Sequence, residues 1–172
     1  MNGRLALGTS LLAGALALPV AADELALETC TAVQGNFKEY LVDTRLSTFD
    51  PFGRVVLFTD GTLQSVGTAI LTTVGPGPTP GTLLATTRHV FIVNQTDQIT
   101  ATGVAVFTPI PDTADVHDVL TLKITGGTGR FAKATGHIVA TGRGFDFFPL
   151  PPGPIAGSSF FVFTYQGQVC VP

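Results

Sequence analysis

The stretch LKITGGTGRFAKATGHIVATG, residues 122–142, contains a spacing that could bind a phosphate group. Gly127, Gly129 and Ala132 fit G-x-G-x-x-G/A, the loop that holds a dinucleotide pyrophosphate on free N–H groups at the start of a helix. No helix is predicted to follow, because Gly136 comes soon afterwards and HIVATGRGFDF then alternates as a strand does. We interpret these glycines as a corner between two strands, with one short helical turn near residues 129–134.

Several polar side chains lie in alternating stretches and could act on a ligand as acids, bases or hydrogen-bond donors. His89 shares one face of its strand with Thr87 and Phe91, whereas Arg88 lies on the other face. For each of Arg88, His89, His137 and Arg143, a solvated or structurally paired role is the alternative, because charged residues are mostly exposed. The candidate pocket residues are Tyr40, Asp43, Arg88, His89, Arg143 and Tyr165.

The same stretches are rich in aromatic residues, which could line an apolar ligand site or simply fill a core. The three histidines show no H-x-H or H-x-x-E spacing, so no metal site is predicted. Ser158-Ser159 lacks a G-x-S-x-G elbow, which leaves acyl transfer without support. Neither a cofactor nor a catalytic residue is assigned by these patterns.

The N-terminus indicates an exported protein. Arg4 precedes an apolar run from Leu5 to Leu18 that is too short for a membrane span of about 20 residues and is typical of a secretory signal peptide. We predict cleavage after Ala22, with residues 1–22 as signal peptide and residues 23–172 as one domain. A retained membrane anchor is the alternative. The mature protein would be secreted, extracellular or periplasmic, without a membrane span.

Cys30 and Cys170 are the two cysteines of the chain. In an exported protein such a pair is usually a disulfide, which here would join the first strand to the last. The alternative is two free thiols that serve as nucleophile or metal ligands, but no C-x-x-C or paired histidine lies nearby to favour it.

Composition and periodicity predict an all-β domain. Only 12% of the residues are charged, the formal net charge is −3, and no basic run offers the clustered cations that nucleic acid requires. Period-two stretches between turn signals predict eight strands, enough to close a small barrel. The predicted strands are 33–46, 54–59, 63–73, 83–93, 98–107, 119–125, 135–148 and 158–170.

Turn residues separate these strands. Asp60-Gly61 predicts a two-residue hairpin, because type I′ turns need positive φ at both central positions. Residues 94–97 predict a second short link. The proline- and glycine-rich segments 75–81 and 149–157 are predicted to lie outside any strand ladder.

DVLTLKITGGTGRFAKATGHIVATG, followed later by SSFFVFTYQG, resembles the allene oxide cyclase and dirigent-protein barrels, including secreted bacterial members. In that family a strand runs into G-G-[ST]-G-x-F-x-x-A-x-G, a motif fitted by Gly126, Gly127, Gly129, Phe131 and Gly136. The likeness extends more loosely over residues 37–169. It implies a single eight-stranded antiparallel β-barrel of the allene oxide cyclase-like, calycin type, in which the glycine motif is structural and Phe131 can plug one end.

The resemblance also implies a function. Members of the family bind apolar or phenolic molecules inside the barrel and steer ring closure or radical coupling without metal or organic cofactor, often as homo-oligomers, here a dimer or trimer. The cyclases use a carboxylate and an amide in the first strand, a cysteine in the third and nearby tyrosines. The first strand here offers Asn36, Glu39 and Asp43, but it does not match the cyclase motif, and SVGTAILTTV has no cysteine. Asp60 is the one counterpart of the dirigent acid pair.

Two hypotheses from different functional classes follow. The first is a barrel that binds a small hydrophobic ligand, with or without a cofactor-free cyclase or isomerase activity. The second is a non-enzymatic structural or interaction protein with a packed interior, whose loops at 75–81 and 149–157 bind a partner. A cavity lined by the candidate pocket residues would favour the first, and a filled interior would favour the second.

Overall fold

The computed structural model describes residues 28–43, 54–147 and 159–172. They form a closed antiparallel β-barrel in which the eight strands follow one another in chain order. The strands are β1 (Thr29–Asp43), β2 (Arg54–Thr59), β3 (Ser65–Pro76), β4 (Leu83–Ile92), β5 (Gln98–Pro109), β6 (Val116–Thr128), β7 (Thr135–Phe145) and β8 (Phe160–Val171). The predicted all-β fold with eight antiparallel strands is confirmed. The predicted signal peptide and the 149–157 segment lie outside the described residues.

The helical content matches the expected short turn. In the part of the chain that the structure describes, a single 3₁₀ turn, Gly129–Phe131, lies between β6 and β7. In the described ranges, no helix has the length and hydropathy needed to cross a membrane.

Strand β6 shows how the sequence selects the barrel interior. Its residues VHDVLTLKITGGT alternate between buried and exposed positions along almost the whole strand. Valine, leucine and isoleucine occupy most of the inward positions, where each buried aliphatic side chain contributes roughly 1.5–3 kcal/mol. Threonine, lysine and histidine occupy most of the outward positions, as the period of two requires.

The barrel closes where its first and last strands meet. β1 and β8 pair in antiparallel register from Thr29 with Val171 to Tyr40 with Phe160. Cys30 and Cys170 are direct partners in this ladder and are joined by a disulfide, with Cα atoms 3.9 Å apart. The predicted disulfide is therefore confirmed, and it spans the seam that closes the barrel.

The glycine stretch forms the corner between β6 and β7. A Cβ at Gly127 would lie 1.8 Å from the Gln98 carbonyl oxygen, so a side chain there would collide with the backbone of β5. Gly129 has a φ of +57°, in the left-handed region that favours glycine. Asp97 accepts a hydrogen bond from the Arg130 N–H at 3.2 Å, which ties the corner to the neighbouring loop.

The predicted two-residue hairpin at Asp60-Gly61 is wrong. Residues 60–64 form a longer loop, since Thr59 pairs with Ser65. Of the two residues, Gly61 has a positive φ and Asp60 does not. The loop instead folds onto β1, where the backbone N–H of Asn36 donates to Asp60 Oδ1 at 2.7 Å. These contacts with another strand override the local turn signal.

Several predicted strand boundaries also need correction, including the start of β1, which lies at Thr29 and not at residue 33. β3 continues through Gly75 and Pro76, which pair with Leu84 and Leu83 at the end of the ladder. Proline is tolerated at this terminal position because no central ladder bond depends on its missing N–H. β6 begins at Val116 and not at residue 119, and this shift places an additional acidic residue inside the barrel.

Gly127→Ala should lower the free energy of unfolding by about 1–3 kcal/mol, because the new methyl group must displace the β5 backbone. Gly75→Ala is the matched control: a Cβ added there would meet no atom of another residue within 4 Å, and its effect should stay within about 0.5 kcal/mol. Urea denaturation measures both. Equal effects of the two variants would contradict the close approach at Gly127.

The double variant Cys30→Ala/Cys170→Ala should lose roughly 4–5 kcal/mol of stability, because the bridge closes a loop with a sequence separation of 140. Denaturation of oxidised wild type and of the double variant measures this difference. Reduced wild type should resemble the double variant. A double variant as stable as the oxidised protein would show that strand pairing alone holds the seam.

Candidate functional site

Three ionisable side chains lie inside the barrel, in the half where β1 ends and β2 begins. Glu39 belongs to β1, His89 to β4 and Asp118 to β6. They expose 7%, 1% and 3% of their surfaces. Acidic side chains are seldom buried so completely, and burial is costly for any of them that lacks a partner. We therefore take this inner cluster, Glu39, His89 and Asp118, as the candidate site.

Glu39 and His89 contact each other across the barrel interior. His89 Nε2 lies 3.0 Å from Glu39 Oε1, and Thr87 Oγ1 lies 3.3 Å from the other ring nitrogen, Nδ1. With Glu39 as the carboxylate, His89 donates its Nε2–H to Glu39 and accepts the hydroxyl hydrogen of Thr87. The imidazole also stacks on Phe91, with ring centroids 5.8 Å apart. The histidine is thus fixed on both sides and orients the Glu39 carboxylate.

Asp118 has no comparable partner. Among the described residues, its Oδ1 atom makes no hydrogen bond. Burial, and to a smaller extent the negative charge of Glu39, raises the pKa of Asp118 well above its ordinary value of 3.8. Asp118 therefore keeps its proton to a higher pH than an exposed aspartate does, and in that form it can donate a hydrogen bond.

The inner cluster borders a cavity of about 20 Å³, which is room for about one water molecule. The rest of its lining among the described residues is apolar except for Thr87, and these lining residues include neither lysine nor arginine. Three lining residues, Phe107, Phe147 and Phe161, contact one another with ring centroids 5.0–5.9 Å apart. The other apolar lining residues are Leu41, Val55, Ala69, Leu71, Ala105 and Leu120.

Thr87, His89 and Glu39 follow the order of hydroxyl, imidazole and carboxylate that nucleophilic triads use. Acyl transfer also requires donors for an oxyanion, which are commonly backbone N–H groups. β4 pairs with β5 in continuous register through Thr87, so the backbone groups on that side of the hydroxyl are engaged in the ladder. The ladder with β3 is irregular between Leu71 and Thr73, opposite Thr87. The arrangement is better suited to proton transfer than to acyl transfer.

Of the candidate pocket residues, His89 lines the cavity. Tyr165 also points into the barrel, but its hydroxyl lies beside the 60–64 loop at the other end. There it donates to the Asp60 carbonyl at 2.6 Å and accepts from the Leu63 N–H at 3.1 Å. Desolvation raises the pKa of this phenol above 10.0. Tyr165 thus anchors a loop and does not border the inner cluster.

Three other candidates lie on the outer face. Tyr40 is 42% exposed and stacks on Phe160, and Arg88 is also exposed. Strand alternation explains both positions, since Tyr40 follows Glu39 and Arg88 precedes His89. Tyr40, Arg88 and Arg143 therefore do not share a pocket with His89. The side chain of Asp43 lies outside the described part of the structure.

Arg143 belongs to a surface ion pair. Its Nε donates to Asp115 Oδ2 at 3.1 Å, and the Asp146 N–H donates to Asp115 Oδ1 at 3.0 Å. The Asp146 hydrogen bond, and secondarily Arg143, hold the pKa of Asp115 below its ordinary value. The pair fixes the end of β7 against the loop before β6, which is a structural role.

The described residues contain one trio whose potential metal-binding atoms lie within 4.8 Å of one another: Glu28, Cys30 and Cys170. Both cysteines are joined in the disulfide and are not thiolates. The inner cluster does not meet this spacing. Its geometry favours proton donors and acceptors over a three-ligand metal centre.

The opposite end of the barrel carries a more open depression of about 270 Å³. Phe131, the residue predicted to plug one end, lies in its wall. Arg130, the cation of the lining, pairs with Asp97 at 3.2 Å and is largely exposed. This depression lacks the buried acidic groups of the inner cluster among its described lining residues.

Sequence reasoning missed Asp118 and left Glu39 outside the candidate pocket. The signals were present: Asp118 is in phase with Val116 and Leu120, and Glu39 is in phase with Phe37 and Leu41. An acidic residue at an apolar phase of a strand marks a charge directed into the core.

Comparisons with protein-family models, with curated proteins and with solved structures find no match for this chain. The function of the site must therefore be inferred from its own geometry.

Asp118→Asn should raise the free energy of unfolding at pH 7 by about 1–3 kcal/mol, because on folding the carboxyl must either bind a proton or bury an unpaired charge, and the amide does neither. A carboxyl with a raised folded-state pKa contributes stability that is complete below the ordinary value of 3.8 and is lost as pH rises through the folded pKa. The advantage of the amide should therefore shrink as the pH falls toward about 4. Urea denaturation at both pH values measures it.

Asp112→Asn, at an exposed position, is the control and should change stability little at either pH. A gain in Asp118→Asn that is the same at both pH values would show that titration of Asp118 is not its cause.

Proposed function

We propose that the barrel binds a small apolar or phenolic molecule at the inner cluster and acts on it by acid–base chemistry without a cofactor, as a cyclase or isomerase. The observation that carries this proposal is the pair of unlike carboxyls in one apolar cavity. Glu39 is held by a histidine donor, whereas Asp118 is buried without a partner for Oδ1 in the described structure. Two carboxyls in contrasting environments can serve as base and acid in one reaction.

The energetics of burial also support a functional role. A buried polar group without a hydrogen bond costs about 1–3 kcal/mol. A leucine at position 118 would continue the apolar inward row of β6 without this cost. The carboxyl thus reduces stability at a point where it borders a cavity, which is typical of functional sites.

Ligand entry requires the cavity to expand, because about 20 Å³ does not accommodate an organic molecule. Phe147 is the ring best placed to move. It follows the end of β7 and is not part of a strand, although its N–H donates to the Ala114 carbonyl at 2.8 Å. Phe107 and Phe161 belong to β5 and β8, whose ladders restrict their backbones.

We also propose that the chain is exported and is related to the allene oxide cyclase and dirigent barrels. The disulfide supports an oxidising compartment. The eight-stranded barrel and the glycine corner between β6 and β7 support the relationship.

A second candidate function is a structural or interaction barrel. The small cavity volume favours it, because eight strands can fill their interior with side chains. Its partner-binding surface would lie on the loops, and the interior acids would have no ligand.

Titration with phenol separates the two functions. If the barrel binds a small ligand, phenol should shift the methyl NMR signals of Val55, Leu71 and Leu120 in the wild type, because these residues line the cavity. Phe147→Ala should tighten phenol binding by roughly tenfold, since ring displacement is no longer needed; this corresponds to about 1.4 kcal/mol.

Phe58→Ala is the matched control, because Phe58 is 44% exposed on the outer face. It should leave phenol binding unchanged. Signals of Val33 and Val169, at the opposite end, should not shift. An absence of shifts in both the wild type and Phe147→Ala would overturn the ligand-binding function in favour of the packed barrel.

A further inference from the structure

We infer that the ligand is an enolisable carbonyl compound, whose oxygen binds the Asp118 carboxyl and whose adjacent carbon gives a proton to Glu39. This inference rests on the proposed function and specifies its substrate class. It gives separate tasks to the two acids of the inner cluster. Asp118 binds and stabilises an oxygen, whereas Glu39 moves a proton.

The oxygen-binding role follows from the surroundings of Asp118. Its Oδ1 is without a partner among the described residues, and the carboxyl borders a cavity lined by neither lysine nor arginine. Without a cation to compensate its charge, the carboxyl is most stable as the neutral acid. A neutral carboxyl offers one O–H donor, which suits a carbonyl oxygen and suits the negative oxygen of an enolate even better.

The base role follows from the contact between Glu39 and His89. The 3.0 Å hydrogen bond engages Oε1, so Oε2 is the oxygen that can receive a proton. His89 is a positioning residue in this scheme. Thr87 and the stacked ring of Phe91 keep its Nε2–H directed at Glu39.

The reaction balances without an additional reactant. Glu39 removes the proton from the carbon next to the carbonyl, and the C–H bonding pair becomes the C=C bond of the enol. The carbonyl π pair moves to oxygen, which accepts the proton or hydrogen bond of Asp118. When Glu39 returns the proton to the same carbon, the C=C pair re-forms the C–H bond and an oxygen pair re-forms the C=O bond. Asp118 takes back any proton that it gave to the oxygen, and the ketone is restored. Return to a conjugated carbon shifts a double bond, which is an isomerisation.

The composition of the cavity lining argues against other reaction classes. Its described residues include no serine, cysteine or lysine that could form a covalent intermediate. The one hydroxyl of this lining, that of Thr87, is hydrogen-bonded to His89. The neighbouring backbone groups already pair with β5. Proton transfer needs only the carboxyl and imidazole groups present. General acid–base catalysis by such groups contributes roughly 10²–10⁴-fold to a reaction rate.

The experiment uses cyclopentanone as the probe and the oxidised protein in D₂O. Proton NMR follows the loss of the α-proton signals, which reports proton removal from carbon. The wild type should accelerate exchange above the buffer rate, and Glu39→Gln should reduce the acceleration by about 100-fold or more. Asp118→Asn, which still donates a hydrogen bond, should lose less than Asp118→Leu. Phe147→Ala is tested in parallel so that slow entry does not mask exchange.

The role of His89 has its own test. His89→Ala should lose most of the exchange, and His89→Gln, whose amide can donate to Glu39, should recover part of it. A purely structural role would not give this order in variants of equal stability. Lys123→Ala, at an exposed outward position of β6, is the control and should retain the wild-type rate.

Each contrary result has a distinct meaning. If phenol shifts the cavity NMR signals but neither the wild type nor Phe147→Ala accelerates α-proton exchange, this inference is overturned and ligand binding stays intact. The same holds if α-proton exchange survives both Glu39→Gln and Asp118→Leu. No phenol shifts and no exchange would overturn the proposed function as well. Hydrolysis of phenyl acetate that is lost in Thr87→Val would overturn the inference in favour of a nucleophilic triad.

Discussion

Closure of the sheet between β1 and β8 is the constraint on which the rest of the structure depends. Once the ladder is continuous, the backbone groups in its central part pair with neighbouring strands, and alternation assigns each side chain to the interior or the outer face. The interior is therefore a space in which side chains supply most of the polar chemistry. An acidic side chain at an inward position therefore finds no free backbone N–H group in the central ladder to act as its hydrogen-bond donor.

The inner cluster shows two solutions to this constraint. Glu39 meets a histidine that reaches across from β4, so its charge is compensated by a directed hydrogen bond. Asp118 meets no such donor among the described residues, and burial raises its pKa well above the ordinary value. The same apolar wall thus holds two carboxyls in unlike surroundings within one cavity. The two carboxyls differ because β4 offers the His89 imidazole to Glu39, whereas no described residue offers a donor to Asp118 Oδ1.

Periodicity predicted the fold class and the number of strands, whereas the disulfide was predicted from two cysteines in a chain expected to be exported. It also placed His89 on the same face as Thr87 and Phe91, which are both buried with it. It could not decide which face of each strand points inward, so exposed Tyr40 was chosen over its buried neighbour Glu39. Asp118 was missed because the predicted strand began at residue 119. Contacts between distant strands, such as Glu39 with His89, depend on register around the whole barrel, and local patterns do not encode it.

The seam between the first and last strands also determines when the barrel can form. The partners of β1 on one side are the final residues of the chain, and the 60–64 loop is anchored by Tyr165 of the same last strand. Until β8 has been synthesised, β1 has an open edge and the loop lacks its hydroxyl partner. Native structure therefore depends on contacts of very long sequence separation, which favours slow folding. The nascent chain cannot close the barrel before β8 is available to pair with β1, and until then the β1 edge is the surface most open to incorrect pairing.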